Sequence, residues 1–117
     1  MTTAADIVAA EWRYYFEDAE GLVDAATVRA AYAQPRLREL YPAVSHGIMF
    51  FSRCTGLPAA RVGGQVYYLE DGRFRVRGPG STGTLGVVDT LEEAFALVVD
   101  SLPEDCGPAI EGTARDL

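Results

Sequence analysis

The chain has 117 residues, 49% of them hydrophobic and 23% charged, a globular composition long enough to bury a core without disulfide staples. A net charge of −7 argues against nucleic acid as a partner and is compatible with a cationic one. No apolar run reaches the roughly 18 residues of a membrane span, and two cysteines with one histidine support neither a disulfide framework nor a zinc site. One domain is expected, with no cofactor. The stretch Met1 to Asp6 lacks the basic patch and apolar core of a signal peptide, which points to the cytoplasm. All ten basic residues are arginine. Coding bias accounts for that, but it also leaves no lysine for Schiff-base chemistry.

Residues 4 to 18 have the spacing of a helix, with Ile7, Val8, Trp12 and Tyr15 recurring on one side and Thr2 or Thr3 as cap. Glu11, Tyr14 and Asp18 fall on a neighbouring face, and Glu20-Gly21 is a stop signal. Trp12, Tyr14, Tyr15 and Phe16 are too closely spaced for all to face inward. Beside the ordinary division into core and surface, Trp12 and Tyr15 are therefore candidates for a peptide groove or a dimer face. A second helix is expected from the cap Asp24 through Ala33, stopped by Pro35, and a further helical turn from Arg36 to Tyr41.

Ser45 to Gly56 is the most chemically loaded run. Alternation over it predicts a strand with His46, Ile48, Phe50 and Ser52 on one face and Met49, Phe51 and Arg53 on the other. Gly47 is then a close-approach or bulge position, and Thr55-Gly56-Leu57-Pro58 is a turn. Gln65–Glu70 and Arg73–Gly78 flank Asp71-Gly72, the signal of a two-residue type I′ hairpin. That register sets Glu70 opposite Arg73, Tyr68 opposite Arg75 and Val66 opposite Arg77, with Tyr67, Leu69, Phe74 and Val76 turned to the core. The three arginines form either a solvated face or an anchor for carboxylates and peptide carbonyls.

Gly78-Pro79-Gly80-Ser81-Thr82-Gly83 is a connection without the lysine and helix of a phosphate loop. Thr84 to Val88 is a further strand. Thr90-Leu91-Glu92-Glu93 opens a helix to about Leu102, with Leu91, Ala94, Phe95, Val98 and Leu102 as its buried stripe. The tail from Glu104 should lie along the surface, with a turn at Cys106-Gly107-Pro108. The expected fold is α+β: N-terminal helices, an antiparallel sheet of three or four strands, and a C-terminal helix packed on the sheet.

Few chemistries survive this pattern. His46 carries the chain's one imidazole and is the candidate acid or base, although a lone histidine at a strand end is ordinarily structural. Cys54 with His46 would make a nucleophile and base pair, but eight residues of extended strand separate them by roughly 26 Å. Cys54 reads instead as a small buried hydrophobe. Carboxylates pair only locally, as Glu17-Asp18, Glu92-Glu93 and Glu104-Asp105.

Several motifs in order, over roughly residues 30 to 117, carry a resemblance. They are Tyr41-Pro42, Ser45-His46-Gly47, Phe51-Ser52-Arg53-Cys54-Thr55-Gly56, Asp71-Gly72-Arg73-Phe74-Arg75-Val76-Arg77-Gly78-Pro79, Cys106-Gly107-Pro108-Ala109 and Glu111-Gly112-Thr113-Ala114. The chain resembles an actinobacterial natural-product biosynthesis family that includes the lysinoalanine-forming proteins of cinnamycin- and duramycin-type lantibiotic clusters. The resemblance implies an aza-Michael addition, in which a lysine amine of a ring-bridged precursor peptide attacks a dehydroalanine of the same peptide. It also implies a homodimer with shared peptide grooves and a proton acceptor in the substrate's own modified aspartate. Positioning alone supplies much of the acceleration in such a reaction. Placement and chemistry, rather than family correspondence, nominate His46 as the catalytic group and Trp12, Tyr15, Phe51, Arg53, Tyr68 and Arg75 as substrate contacts. The competing readings are a non-catalytic module that presents a precursor peptide and, less in keeping with the acidic charge, a pathway regulator.

Overall fold

The computed structural model describes residues 2–19, 21–80 and 83–117. Helix α1 spans Ala4–Glu17 and begins in a capping box, where Thr3 Oγ1 accepts from the Asp6 N–H and the Asp6 carboxylate accepts from the Thr3 N–H. The expected stop at Glu20-Gly21 lies partly outside the described residues. Helix α2, Ala25–Tyr32, has Asp24 as its cap, the carboxylate accepting from the Ala26 N–H at 3.3 Å. Helix α3 is a single turn, Pro35–Arg38, with proline in the first turn, where its missing N–H costs nothing. Arg36 and Arg38 lie on the surface, yet they reach back to the Pro103 and Tyr32 carbonyls at 3.1 and 2.9 Å.

The α+β architecture stands, with helices before and after the strands. Among the described residues there are six strands in two antiparallel sheets rather than one sheet of three or four. The first sheet contains β1 (Tyr41–Ser45), β2 (Ile48–Ser52) and β3 (Arg61–Val62), in that order. Pro42 concealed β1, since proline inside a strand argues against one. The register explains its tolerance. Ser45 pairs with Ile48 across a two-residue loop, so hydrogen-bonded pairs fall at Ser45, Ala43 and Tyr41, and Pro42 turns its missing N–H to the free edge. His46 and Gly47 are that loop, with φ of 54° and 77°, a type I′ pattern. The strand expected to begin at His46 therefore begins at Ile48, and His46 sits at the tip of a hairpin. Histidine is among the residues that enter the left-handed region most readily.

The second sheet contains β4 (Gln65–Tyr68), β5 (Phe74–Arg77) and β6 (Thr84–Val88). Its β4–β5 hairpin differs by one residue from the expected register. The Leu69 N–H donates to the Arg73 carbonyl, and the Gly72 N–H closes a turn on Leu69, with Gly72 at φ 87°. The loop thus has three residues, Glu70 to Gly72, ending in a left-handed glycine. A one-residue slip exchanges faces. Val66 opposes Val76, both buried, while Tyr67 opposes Arg75 and Tyr68 opposes Phe74. Tyr68 and Arg75, expected as partners on one face, lie on opposite faces.

The two sheets meet where Gly63 and Gly64 join β3 to β4. A Cβ on Gly64 would run into the Arg77 carbonyl oxygen, whereas one on Gly86 would meet only the Leu97 side chain at 3.1 Å. Gly64→Ala is expected to cost about 1–3 kcal/mol in urea denaturation and Gly86→Ala distinctly less. Equal costs would refute the close approach.

Helix α4, Leu91–Asp100, opens on Thr90, whose Oγ1 accepts from the Glu93 N–H, and buries Ala94, Phe95 and Val98. Phe95 meets Phe51 edge-on at 6.4 Å, and Phe51 stacks on Trp12, so α4, β2 and α1 share one core. The tail is bound more tightly than a surface segment. Ile110 N–H donates to the Arg53 carbonyl, and the Ile110 and Gly112 carbonyls accept from the Thr55 and Gly56 N–H groups. Farther out, Ala114 N–H donates to the Pro58 carbonyl. The tail mixes Pro, Gly and charge, so no periodicity revealed this strap. Among the described residues, no helix is long and apolar enough to cross a membrane.

Candidate functional site

Glu11 and Tyr15 are one helical turn apart and project from the same side of α1. β1 supplies Tyr41 and Val44 opposite them. Partial burial holds the Glu11 carboxyl above its ordinary range, opposed by the Tyr41 hydroxyl, which favours the carboxylate. Burial, and then the nearby Glu11 charge, raises both the Tyr15 and Tyr41 phenols, while the Val44 backbone opposes the rise at Tyr15. A carboxyl that stays protonated to higher pH, set between two reluctant phenols, is the arrangement of a proton acceptor with hydrogen-bond donors beside it.

Tyr15 links this cluster to an open depression of about 470 Å³ that it lines with Tyr14, Leu22, Val44, His46 and Gly47. A second depression, about 690 Å³, continues past Gly21 and Leu22 towards Phe16 and Asp24. His46 reaches the first because the type I′ turn lifts it clear of the strand. Its Nδ1 lies 3.0 Å from Ser45 Oγ.

The other nominated residues lie elsewhere. Trp12 and Phe51 are each 1% exposed. Trp12 Nε1 donates to the Leu40 carbonyl at 3.2 Å, and both rings serve the core. Arg53 is half-buried and has its backbone stitched to Ala60 and the strap. Its guanidinium lies near Cys106, whose thiol is raised by burial against the pull of Arg53 and Arg36. Tyr68 donates to the Asp24 carboxylate at 2.7 Å and meets the Thr27 hydroxyl, which ties β4 to the start of α2. That bond is the main cause holding the Asp24 carboxyl below its usual range. Arg75 is exposed on the far face of the second sheet. Cys54 is buried, as expected, with its sulfur against the Gly56 and Pro58 carbonyls.

Of the nominated set, the structure brings Tyr15 and His46 to one depression and stacks Trp12 on Phe51 within the core. The sequence reading missed Glu11 and Tyr41 as members of the site. Glu11 announced itself through its four-residue spacing from Tyr15, but Tyr41 did not, because Pro42 disguised its strand.

These features define an acidic α+β domain with a carboxyl–phenol cluster beside a histidine-tipped hairpin. The chain belongs to DUF6193, a family of unknown function, the match spanning residues 6–113. No curated protein and no solved structure matches it.

Proposed function

We propose that the protein matures a ring-bridged lantibiotic precursor by forming a lysinoalanine crosslink. The observation carrying this reading is the Glu11–Tyr15–Tyr41 cluster adjoining the His46 depression; the motif resemblance to lysinoalanine-forming proteins supplies the substrate class. The reaction is an isomerisation. The substrate ammonium loses a proton, its lone pair bonds to the β-carbon of dehydroalanine, the alkene pair moves onto the adjacent amide as an enolate, and the α-carbon is reprotonated. Glu11 attracts the ammonium and, with its carboxyl raised by burial, accepts a proton more readily than an ordinary glutamate, alongside the substrate's own modified aspartate. The Tyr15 hydroxyl and His46 imidazole are donors for the enolate oxygen. The walls of the depression hold amine and alkene in reach of each other. The working form proposed is a homodimer, and a light-scattering mass of two chains is the expected result.

The test is incubation of the pure protein with a dehydrated, cyclised, aspartate-hydroxylated precursor. Mass does not change, so loss of thiol-reactive dehydroalanine is scored. Binding without that loss would leave a presentation module and sink the enzyme. His46→Asn keeps a residue suited to the left-handed turn while removing the imidazole. Its rate is expected to fall about tenfold or more, with an unchanged far-ultraviolet dichroism spectrum. An unaltered rate would return His46 to a purely conformational role.

A further inference from the structure

The fold guards most of its sheet edges. At the outer edge of β1, Pro42 offers no N–H and the Tyr15 hydroxyl faces the Val44 backbone. β3 has only two residues, and β4 lies beside β2. β6 is different. It ends the second sheet, and Thr84-Leu85-Gly86-Val87-Val88 contains neither proline nor charge. Among the described residues no strand pairs with its outer edge, and Leu85 and Val87 are 38% and 41% exposed.

Backbone alternation shows which groups are left open. The Leu69 N–H bonds to Arg73 on one side of β5, and the Gly78 N–H bonds to Gly83 on the other. Arg73, Arg75 and Arg77 therefore direct their backbone groups to β4, and Phe74 and Val76 direct theirs to β6. Val87, opposite Arg75, must point its N–H and C=O away from the sheet.

The side chains on this face are equally unmatched. Arg75 stands between Tyr67 and Val87, and Arg77 between Gln65 and Thr84. All four cross-strand neighbours are neutral, although the chain has 17 acidic residues to place. Arg73 is paired with Asp71 at 2.9 Å, but neither Arg75 nor Arg77 has an ion pair or side-chain hydrogen bond among the described residues. An arginine on a sheet gains from a carboxylate opposite it across the ladder, and these two have none. A second copy pairing edge to edge would bring two more arginines and a further charge of −7.

We propose that β6 receives an extended acidic peptide segment as a fourth strand of the second sheet. The peptide main chain pairs with Val87, and carboxylates at alternate positions lie on the arginine face within reach of Arg75 and Arg77. This site stands apart from the Glu11 cluster and does not depend on the reaction proposed there.

The test uses the full chain and a labelled peptide of about eight residues, one strand length, alternating valine and glutamate. Binding is read by fluorescence anisotropy. It is expected to weaken with added salt, and to fall about tenfold in Val87→Pro and in the Arg75→Gln/Arg77→Gln double variant. Proline is tolerated on an edge where the lost N–H points outward, so Val87→Pro should keep its dichroism spectrum. Should that variant unfold, exchange of the Val87 amide in the unaltered protein decides, since bound peptide must slow it. No binding, equal binding of a glutamine-substituted peptide, full binding by folded Val87→Pro, or an unslowed Val87 amide would each overturn the proposal. Self-association that Val87→Pro abolishes and the peptide does not displace would assign the edge to a second copy instead.

Discussion

Trp12→Ala is expected to lower the free energy of unfolding by about 3–5 kcal/mol, measured as a shift in the urea midpoint. The ring touches Phe51 by stacking at 6.2 Å and Tyr32 edge-on at 5.2 Å. Through Phe51 it reaches Phe95, so one indole holds α1, β2 and α4 together. Its loss leaves a cavity and deprives the Leu40 carbonyl of its buried donor, two penalties that add. A small domain has only about 5–15 kcal/mol to lose, so this single change removes a large share of its stability. Phe16→Ala is the control, because Phe16 is largely exposed at 45% and should cost about 1 kcal/mol or less. A Trp12→Ala cost no larger than that of Phe16→Ala would contradict the core described above.

Glu11→Gln should separate stability from activity. The rate of the proposed crosslinking is expected to fall about 10²- to 10⁴-fold, since the amide neither attracts the ammonium nor accepts its proton. Stability should change in the opposite sense. Burial raises the folded-state pKa of Glu11, so the folded protein binds a proton that the unfolded chain has already released. The charged carboxylate therefore penalises the fold at pH values above the raised folded pKa. That penalty fades as pH falls through it and is gone below the unfolded value, near pH ~4. The glutamine variant is accordingly expected to be more stable than its parent at neutral pH, with the gap closing on acidification. Paired melting curves at neutral and acidic pH, beside the thiol-trapping assay, check both halves. A slower but equally stable variant would leave the buried carboxyl unsupported, while a more stable variant with full rate would assign deprotonation to the substrate's aspartate alone.

Helices α1, α2 and α4 were legible because their signals are local, whereas the turn expected over Arg36 to Tyr41 is Pro35–Arg38, with Tyr41 in β1. Thr3, Asp24 and Thr90 each cap the helix they announce, and the stripe Ala94, Phe95, Val98 and Leu102 is buried as its spacing implied. Strands β2, β4, β5 and β6 were legible in approximate position but not in pairing, and β1 and the two-residue β3 were not legible at all. Asp71-Gly72 marks a turn whether the loop has two residues or three, and β5 keeps Val76 inside in either case. Only β4 decides between the registers, and Val66 with Val76 is the pair the core selects. The same one-residue ambiguity moved Tyr68 from a supposed arginine partner to the cap of α2. His46-Gly47 escaped recognition as a turn because histidine in the left-handed region is uncommon and the apolar run begins just after it. The motifs carrying the family resemblance are largely architectural. Phe51–Gly56 and Ile110–Ala114 bind one another through the backbone, so they mark the scaffold more than the chemistry.

That union of distant segments sets an order on synthesis. The amides of Thr55 and Gly56 find their acceptors at Ile110 and Gly112, more than fifty residues later. At about 5–20 residues per second, translation needs roughly 3–11 s to deliver them. During that interval the nascent loop, together with the exposed Phe51 beside it, has only water or a chaperone for company. This pairing is therefore completed only after residues 110 to 112 have been made.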